Sequence, residues 1–399
     1  MRSSSLGSSL RIAVVLDRLQ PELGGLETFT AGLIEYLIEA GHEIHVVAFS
    51  GDAPLPVTFH RIPWDDSPLE RARRVDQKLS TIDVDVIYDT GSALKADVLH
   101  PHTGSRVFSL DQFVATHSWL RRLRLLLSPG LRRLRNDFDV LERAQFREAG
   151  CVIAISRLVQ SLLQRLYRLN PRSIELVPNG ADLTTFRGRI EPEIRRALRL
   201  RLGVDEGCLF TLVAHNFHLK GVGTVLDALE SMEADRRRAL HVVVVGNGDI
   251  SSYSEMARDR RVTDSISFVG GMAREDVAEY YAIADVSLQP SHYDACSLAI
   301  LEALASGLPV ITTAMVGAAD RIESGAHGLV LDVSGDHRAL ARAMSEMLAP
   351  STRARMRQAV LNLRDSLDAR IGLRRIEGLI RKAANARRSS KDATRVSGR

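Results

Sequence analysis

Short apolar runs recur along the chain, each followed by a glycine- or polar-rich turn and then a longer stretch with helical spacing. Residues 11–16 (RIAVVL) predict a buried strand. A loop with Pro21, Gly24 and Gly25 follows, then a helix over 26–40 ended by Gly41, then a strand over 43–49. Strand, helix and strand in that order imply a right-handed crossover and a parallel sheet. Further strands are predicted at 84–88, 98–100, 151–155 and 174–177, and Pro178-Asn179-Gly180 makes a turn that suits a domain boundary. The second half repeats the rhythm. It has a strand at 209–214, a helix at 222–230 and a strand at 241–245 that runs into Gly246-Asn247-Gly248. Strands at 266–269, 286–289, 310–313 and 329–331 complete it. The pattern predicts two doubly wound α/β domains, whose ligand crevices lie at the C-terminal ends of strands. A cleft between the two domains is the expected site.

The most informative stretch covers residues 292–313 (HYDACSLAILEALASGLPVITT). Ala295, Cys296 and Ser297 precede a helical run from Leu298 to Ala305. Gly307 can supply a left-handed cap and Pro309 stops the helix. The amides at the start of such a helix suit a phosphate or diphosphate. Asp294 lies on the loop before the helix, and Glu302, eight positions later, lies roughly 8–10 Å along the axis from the first amides. That is about the separation between a diphosphate and the far side of its ribose. A β-loop-α-β unit with one exposed acid at each end is the plainer reading of the spacing.

This stretch resembles the signature of retaining glycosyltransferases of the GT-B architecture, family 4 (glycosyl transferases group 1). It is most like that of the lipopolysaccharide core glucosyltransferases. The family usually carries Glu where this chain has Asp294. The resemblance covers nearly all of 10–384. It implies two Rossmann-like domains with parallel sheets facing across a cleft, an acceptor-side domain over 10–180 and a nucleotide-sugar domain over 181–368. It also implies that a helix over 369–384 crosses back to the N-terminal domain. The implied donor is a nucleotide-diphosphate sugar. Glu302 would hold ribose, Ser297 and Leu298 would offer amides to the diphosphate, and Asp294 would contact sugar hydroxyls. The implied acceptor is a glycan or lipid-linked molecule, with retention of anomeric configuration. A sugar phosphorylase or epimerase, or a non-catalytic nucleotide-sugar binder, stays open beside this reading.

Three further constellations carry chemistry. Gly24-Gly25-Leu26-Glu27 follows the first strand, and paired glycines admit a ligand close to the backbone of a helix start. The G-x-G-x-x-G spacing of a dinucleotide fingerprint is missing. Lys220, in AHNFHLKG, sits at a strand-to-helix turn where an ammonium can neutralise a diphosphate leaving group. Family members carry Lys-Gly here, usually with an arginine nearby, whereas this chain has His215 and Leu219. His100-Pro101-His102-Thr103-Gly104 also follows a strand. Two histidines around Pro101 point in different directions if the backbone is extended; the resemblance implies a histidine or other polar residue here against the donor sugar, and His102 is the candidate because Thr103-Gly104 after it reads as the exposed loop. A His-x-His pair is also a metal motif, but no third ligand is evident, so neither metal nor cofactor is expected.

Composition narrows the setting. The chain has 399 residues, 45% hydrophobic and 26% charged, as suits two globular domains. Its three cysteines show neither disulfide nor metal spacing, which points to a reducing cytosol. MRSSSLGSSLR at the start lacks the apolar core of a signal peptide, and no run is long enough to span a membrane. The net charge of +4 matters less than where the arginines fall. Residues 118–147 contain WLRRLRLLLSPGLRRLRNDF, with Arg121, Arg122, Arg124, Arg132, Arg133 and Arg135 around leucines on one helical face. Such a segment can lie on an anionic membrane surface, which would make the protein cytoplasmic and peripheral on the inner face of the membrane. A helix that packs its leucines inward and solvates its arginines is the other reading. Nucleic acid is not expected, since no aromatic platform is interleaved with the arginines. The tail over 385–399 is poor in apolar residues and expected to be disordered.

Overall fold

The computed structural model describes residues 8–397 apart from Glu22, Leu23, Ala53, Pro54, Arg189, Asp205 and Glu206; side chains are described up to Ser390. The start of the segment read for a signal peptide, residues 1–7, lies outside the described residues. The chain forms two units: Met1–Pro178 with Gly372–Arg399, and Asn179–Ile371.

The first unit is built on a parallel sheet of β1 (Arg11–Val15), β2 (Glu43–Ala48), β3 (Thr58–Arg61), β4 (Val86–Asp89), β5 (Val98–Leu99), β6 (Cys151–Ala154) and β7 (Ile174–Leu176). The order is β3-β2-β1-β4-β5-β6-β7. In β1, Ile12 and Val14 enter one core while Ala13 and Val15 enter another, so both sheet faces are buried. That explains why the strand reads as an unbroken apolar run. The edge strand β3 (TFHR) has no fully buried residue, and it gave no apolar signal. The helix Gly25–Glu39 covers one face through Leu33, Ile34 and Leu37.

The second unit has β8 (Cys208–Val213), β9 (Leu240–Val245), β10 (Ile266–Gly270), β11 (Val286–Gln289), β12 (Val310–Thr313) and β13 (Gly328–Leu331), all parallel, in the order β10-β9-β8-β11-β12-β13. Each sheet reverses its strand order once, at β1/β4 in the first unit and at β8/β11 in the second. Loops leaving the C-terminal ends of those strand pairs splay apart and open a crevice.

The last helix runs Ala369–Ser397, through the stretch whose composition suggested a disordered tail. Its apolar residues are few but concentrated. Leu373, Ile376, Ile380 and Ala384 fall on one stripe and are buried in the same core as β1. Its basic residues find partners. Arg381 pairs with Glu377 at 2.8 Å, Arg387 with Asp97 at 2.5 Å and Arg388 with Asp85 at 3.3 Å. The stripe lies within the helix expected over 369–384 and buries it, whereas past 384 it is Arg387 and Arg388 that make the contacts. Ile380→Ala should therefore destabilise the first unit by about 2–5 kcal/mol, the range for emptying a buried aliphatic site. Ile371→Ala, on an exposed residue of the same helix, should leave the denaturation midpoint unchanged. Urea unfolding of both variants checks this.

Candidate functional site

The second unit concentrates its chemistry at the β8/β11 reversal. After β8 the chain turns through Asn216–Lys220 and enters the helix Val222–Ser231. Gly221 adopts φ 77°, and a Cβ there would come within 2.2 Å of the Pro290 carbonyl oxygen. Only glycine lets this turn close on the loop that leaves β11. His292 N–H donates to the Leu219 carbonyl at 2.8 Å, which ties the two loops together. Lys220 and Asp294, far apart in sequence, thus form an ion pair with both side chains mostly buried, at 22% and 16% exposure. Asp294 is held on its other side as well. Its Oδ1 accepts from the Cys296 N–H at 3.1 Å, and its N–H donates to the Met315 carbonyl at 3.0 Å.

Ser297 begins the helix Leu298–Ala305 in the left-handed region, at φ 70°. A serine rarely adopts that conformation without a local reason. Its hydroxyl caps nothing, and Ser297 Oγ is buried without a partner, as are Ser291 Oγ and His292 Nδ1 nearby. A cluster of unmet polar groups beside a helix N-terminus and a cation is suited to an anionic ligand. The helix ends as expected. Gly307 at φ 81° donates to Leu304 and Leu308 donates to Ala303, a Schellman closure. Burial pushes the Cys296 thiol up to about 12, so it is not a nucleophile at neutral pH.

Glu302 is buried on the same helix. Its Oε1 accepts from Arg274 Nε at 3.2 Å and Nη2 at 3.1 Å. Burial pushes the carboxyl above the ordinary range and Arg274 pulls it partly back. The Arg274 guanidinium lies 4.9 Å from the Phe186 ring centroid, stacked between an aromatic and a carboxylate. Sequence reasoning missed Arg274. The only hint was its place after Gly270-Gly271 at the end of β10.

The remaining candidates lie in the first unit. Gly24 caps the helix that Gly25 opens, at an extended φ of 172° that any residue adopts, and a Cβ there would come within 3.0 Å of the flexible end of the Glu27 side chain. From this helix Phe29 packs against His102 at 4.7 Å and His100 at 5.5 Å between ring centroids. His100 is fully buried and meets the Tyr88 hydroxyl at 2.5 Å. His102 is half-buried, with Nε2 shielded and unpartnered. Burial depresses the His102 imidazole to about 3, so at neutral pH it is a neutral hydrogen-bonding group. At the β1/β4 reversal the structure adds a group that no motif flagged. Asp17 accepts from Ser92 Oγ at 2.6 Å and faces Arg106 Nη2 at 4.0 Å, and Arg106 Nη1 donates to the Gly91 carbonyl at 2.6 Å.

Of the six arginines in the basic segment, Arg121, Arg122, Arg124, Arg132 and Arg133 are exposed. Arg135 also is exposed but makes a two-pronged bond to Asp111 at 2.7 and 2.8 Å. Among the described residues no cluster of His, Cys, Asp or Glu is arranged to hold a metal ion. No helix among them is long and apolar enough to cross a membrane.

Comparison with known proteins matches residues 196–362 to the family described as Glycosyl transferases group 1 and residues 23–185 to Glycosyltransferase Family 4. A D-inositol 3-phosphate glycosyltransferase of Acidothermus cellulolyticus is 31% identical over 224 residues, 52% of this chain and 49% of that protein. The lipopolysaccharide glucosyltransferase WaaG of Escherichia coli is 30% identical over 198 residues, 49% of this chain and 52% of WaaG. The chain spans about half the length of these curated relatives. The fold matches a crystal structure of WaaG with a TM-score of 0.77 at 22% identity, covering 92% of this chain and 99% of that one. It also matches Anabaena HepE in complex with UDP-glucose, with a TM-score of 0.70 at 18% identity, covering 94% and 100%.

The depressed His102 imidazole makes a stability prediction. A histidine that stays neutral when folded binds fewer protons than its unfolded counterpart once the pH drops below about 6.5. Its contribution is intact above that pH and is lost as the pH falls toward the folded value. His102→Asn should therefore flatten the loss of stability between pH 6 and pH 4 by up to about 1.4 kcal/mol per pH unit. Urea titrations at several pH values should show the shallower slope, and a parallel slope would mean His102 is protonated in the folded protein.

Proposed function

Because the chain belongs to the group 1 and family 4 glycosyltransferases, we propose that it moves a sugar from a nucleotide-diphosphate sugar to a glycan or lipid-linked acceptor, with retention of anomeric configuration. The observation that carries this reading is the Lys220–Asp294 pair together with the unpartnered Ser297 hydroxyl at the start of the Leu298–Ala305 helix. A diphosphate is the anion that such a cation and such amides would take up together.

In this reading the Ser297 and Leu298 amides and the Lys220 ammonium receive the diphosphate. Lys220 then exchanges its carboxylate partner for phosphate oxygens, and Asp294 turns to the hydroxyls of the transferred sugar. Glu302, already fixed by Arg274, takes ribose hydroxyls. Gly24 and Gly25 give the helix start of the first unit to the substrates, and His102 contributes a neutral hydrogen bond. The anomeric C–O bond to the diphosphate breaks through an oxocarbenium-like state. The acceptor oxygen attacks from the leaving-group face, and its proton passes to a diphosphate oxygen. Products are the glycosylated acceptor and free nucleoside diphosphate. The charge that grows on the leaving group is met by Lys220 and the helix amides, so the step needs no metal ion. UDP-glucose held by HepE, whose fold the chain shares, supports a donor of this class.

Transfer of radiolabelled sugar from a donor panel to a lipid or glycan extract tests the reading. Product together with released nucleoside diphosphate supports it, and both should persist after exhaustive EDTA treatment. Nucleotide binding without turnover would instead favour a non-catalytic binder. Lys220→Ala should lower kcat roughly 100-fold or more while weakening nucleotide binding less, because the ammonium matters most where charge develops. Unchanged kcat would remove Lys220 from the reaction. Glu302→Ala should weaken nucleoside diphosphate binding at least tenfold, the loss of charge-assisted bonds of about 1.5–3 kcal/mol. Calorimetry with equal affinity for wild type and variant would take Glu302 out of the donor site.

A further inference from the structure

Trp64 stands in the loop that leaves β3, on the same sheet edge as Asp17 after β1 and Ser92 after β4. It is 51% exposed. A single exposed apolar residue is ordinary on a protein surface. One that is held rigid is not. The Arg71 guanidinium, itself buried, lies 4.1 Å from the indole centroid and covers one face of the ring. Phe49 meets the ring edge to face at 5.5 Å. The indole N–H donates to Asp66 Oδ1 at 3.4 Å, and the Trp64 carbonyl accepts from Arg74 Nη1 at 3.3 Å. Arg71 Nη1 donates to the Asp65 carbonyl at 2.7 Å, and Arg74 pairs with the Asp65 carboxylate at 2.6 Å. Two arginines of the helix Pro68–Leu79 thus fix the loop and leave half of the tryptophan in water.

The platform continues into a polar row. Arg71 lies within electrostatic reach of both Asp17 and Arg106. One Asp17 oxygen accepts from Ser92 Oγ at 2.6 Å, while the other stands 4.0 Å from Arg106, too far for a hydrogen bond. That oxygen can accept from a ligand. β3 and β1 are two strands apart in the sheet, roughly 10 Å. A flat apolar surface and a carboxylate acceptor therefore sit along one edge, joined by Arg71.

We propose that Trp64 is a stacking platform for a pyranose ring of a saccharide acceptor, with Asp66 taking hydroxyls of that ring and Asp17 those of a ring nearer β1. That the saccharide is the acceptor rests on the proposed transfer reaction. The surroundings select this occupant. An acyl chain or a protein partner needs a patch, and Trp64 is the only exposed large apolar side chain among the described residues from 8 to 118. A phosphate-bearing ligand would meet Asp65, Asp66 and Glu70 beside the ring. A neutral pyranose matches both halves of the site. One face of C–H groups packs on the indole, and its hydroxyls donate to carboxylates. Because Trp64 is about two strand spacings from β1, the ring it holds is not the ring that receives the new sugar.

The test uses the full chain and an array of immobilised mono-, di- and trisaccharides of the common hexoses. The wild type should be retained on di- or trisaccharides. Trp64→Leu still covers Arg71 but offers no flat face, and should weaken that retention roughly tenfold or more. Trp64→Phe keeps a ring and should lose less. The protein has two tryptophans, so Trp119→Phe leaves Trp64 as the sole reporter, and its emission should shift to the blue when a retained saccharide is added. Melting and nucleoside diphosphate affinity should be unchanged in all three variants. Retention on none of the saccharides, or equal retention of wild type and Trp64→Leu, overturns the proposal. Equal loss in Trp64→Leu and Trp64→Phe with a lowered melting temperature overturns it too, because Trp64 would then be a structural cover for Arg71. Retention that depends on Trp64 without any sugar transfer keeps the platform and removes the transferase reading. Transfer whose acceptor KM is the same in Trp64→Leu does the reverse.

Discussion

A parallel sheet covered on both faces leaves charged groups one place to go, the ends of its strands. That constraint shapes both units. β1 sends alternate side chains into separate cores, and neither core has room for an unpaired ion. Asp17 and Arg106 therefore gather at the reversal of the first sheet, and Lys220 and Asp294 at that of the second. Crossover connections add to this by returning every loop of one kind to the same sheet edge. Reactive residues from distant parts of the sequence meet there without any element being bent to bring them together.

The consequence for the second unit is a site whose polar groups are matched internally before a ligand arrives. Lys220 is already partnered by Asp294, and Glu302 by Arg274. Partly buried charges without partners would destabilise the fold by several kcal/mol, so the pairing is what permits them to be there at all. In the proposed reading, binding is an exchange of partners, and a ligand is selected by whether it can replace both halves of a pair. The exceptions are Ser291 Oγ, His292 Nδ1 and Ser297 Oγ, and Ser297 sits where a backbone in the left-handed region has already been accepted.

Much of the architecture was legible because buried parallel strands are written as unbroken apolar runs. The predicted strand at 310–313 and the helix beginning at Leu298 coincide with those observed. The edge strand Thr58–Arg61 was not legible, since an edge needs no apolar pattern. The tail over 385–399 was not legible for another reason: the helix runs on through it, and there Arg387 and Arg388 pair with Asp97 and Asp85, contacts that composition does not show. At the candidate site, spacing indicated Asp294, Ser297 and Glu302 because they share one local element. It was silent on the Lys220–Asp294 ion pair and on Arg274. Contacts between loops of different crossovers depend on sheet order, which no local spacing encodes. The basic segment was ambiguous for a related reason. Periodicity finds the leucine stripe but not the direction in which it faces, and only the half-burial of Leu125 settles the rotation.

The last helix also fixes the order in which the protein can be completed during synthesis. The core around β1 includes Ile376, Ile380 and Ala384, residues that leave the ribosome only after the whole second unit. The second unit is continuous in sequence and has every part of its sheet in hand once Ile371 has emerged. The first unit must wait, with the apolar surface that the helix will cover still in water. The later unit can therefore close before the earlier one is complete, and in that interval the earlier one is open to aggregation or to chaperone binding.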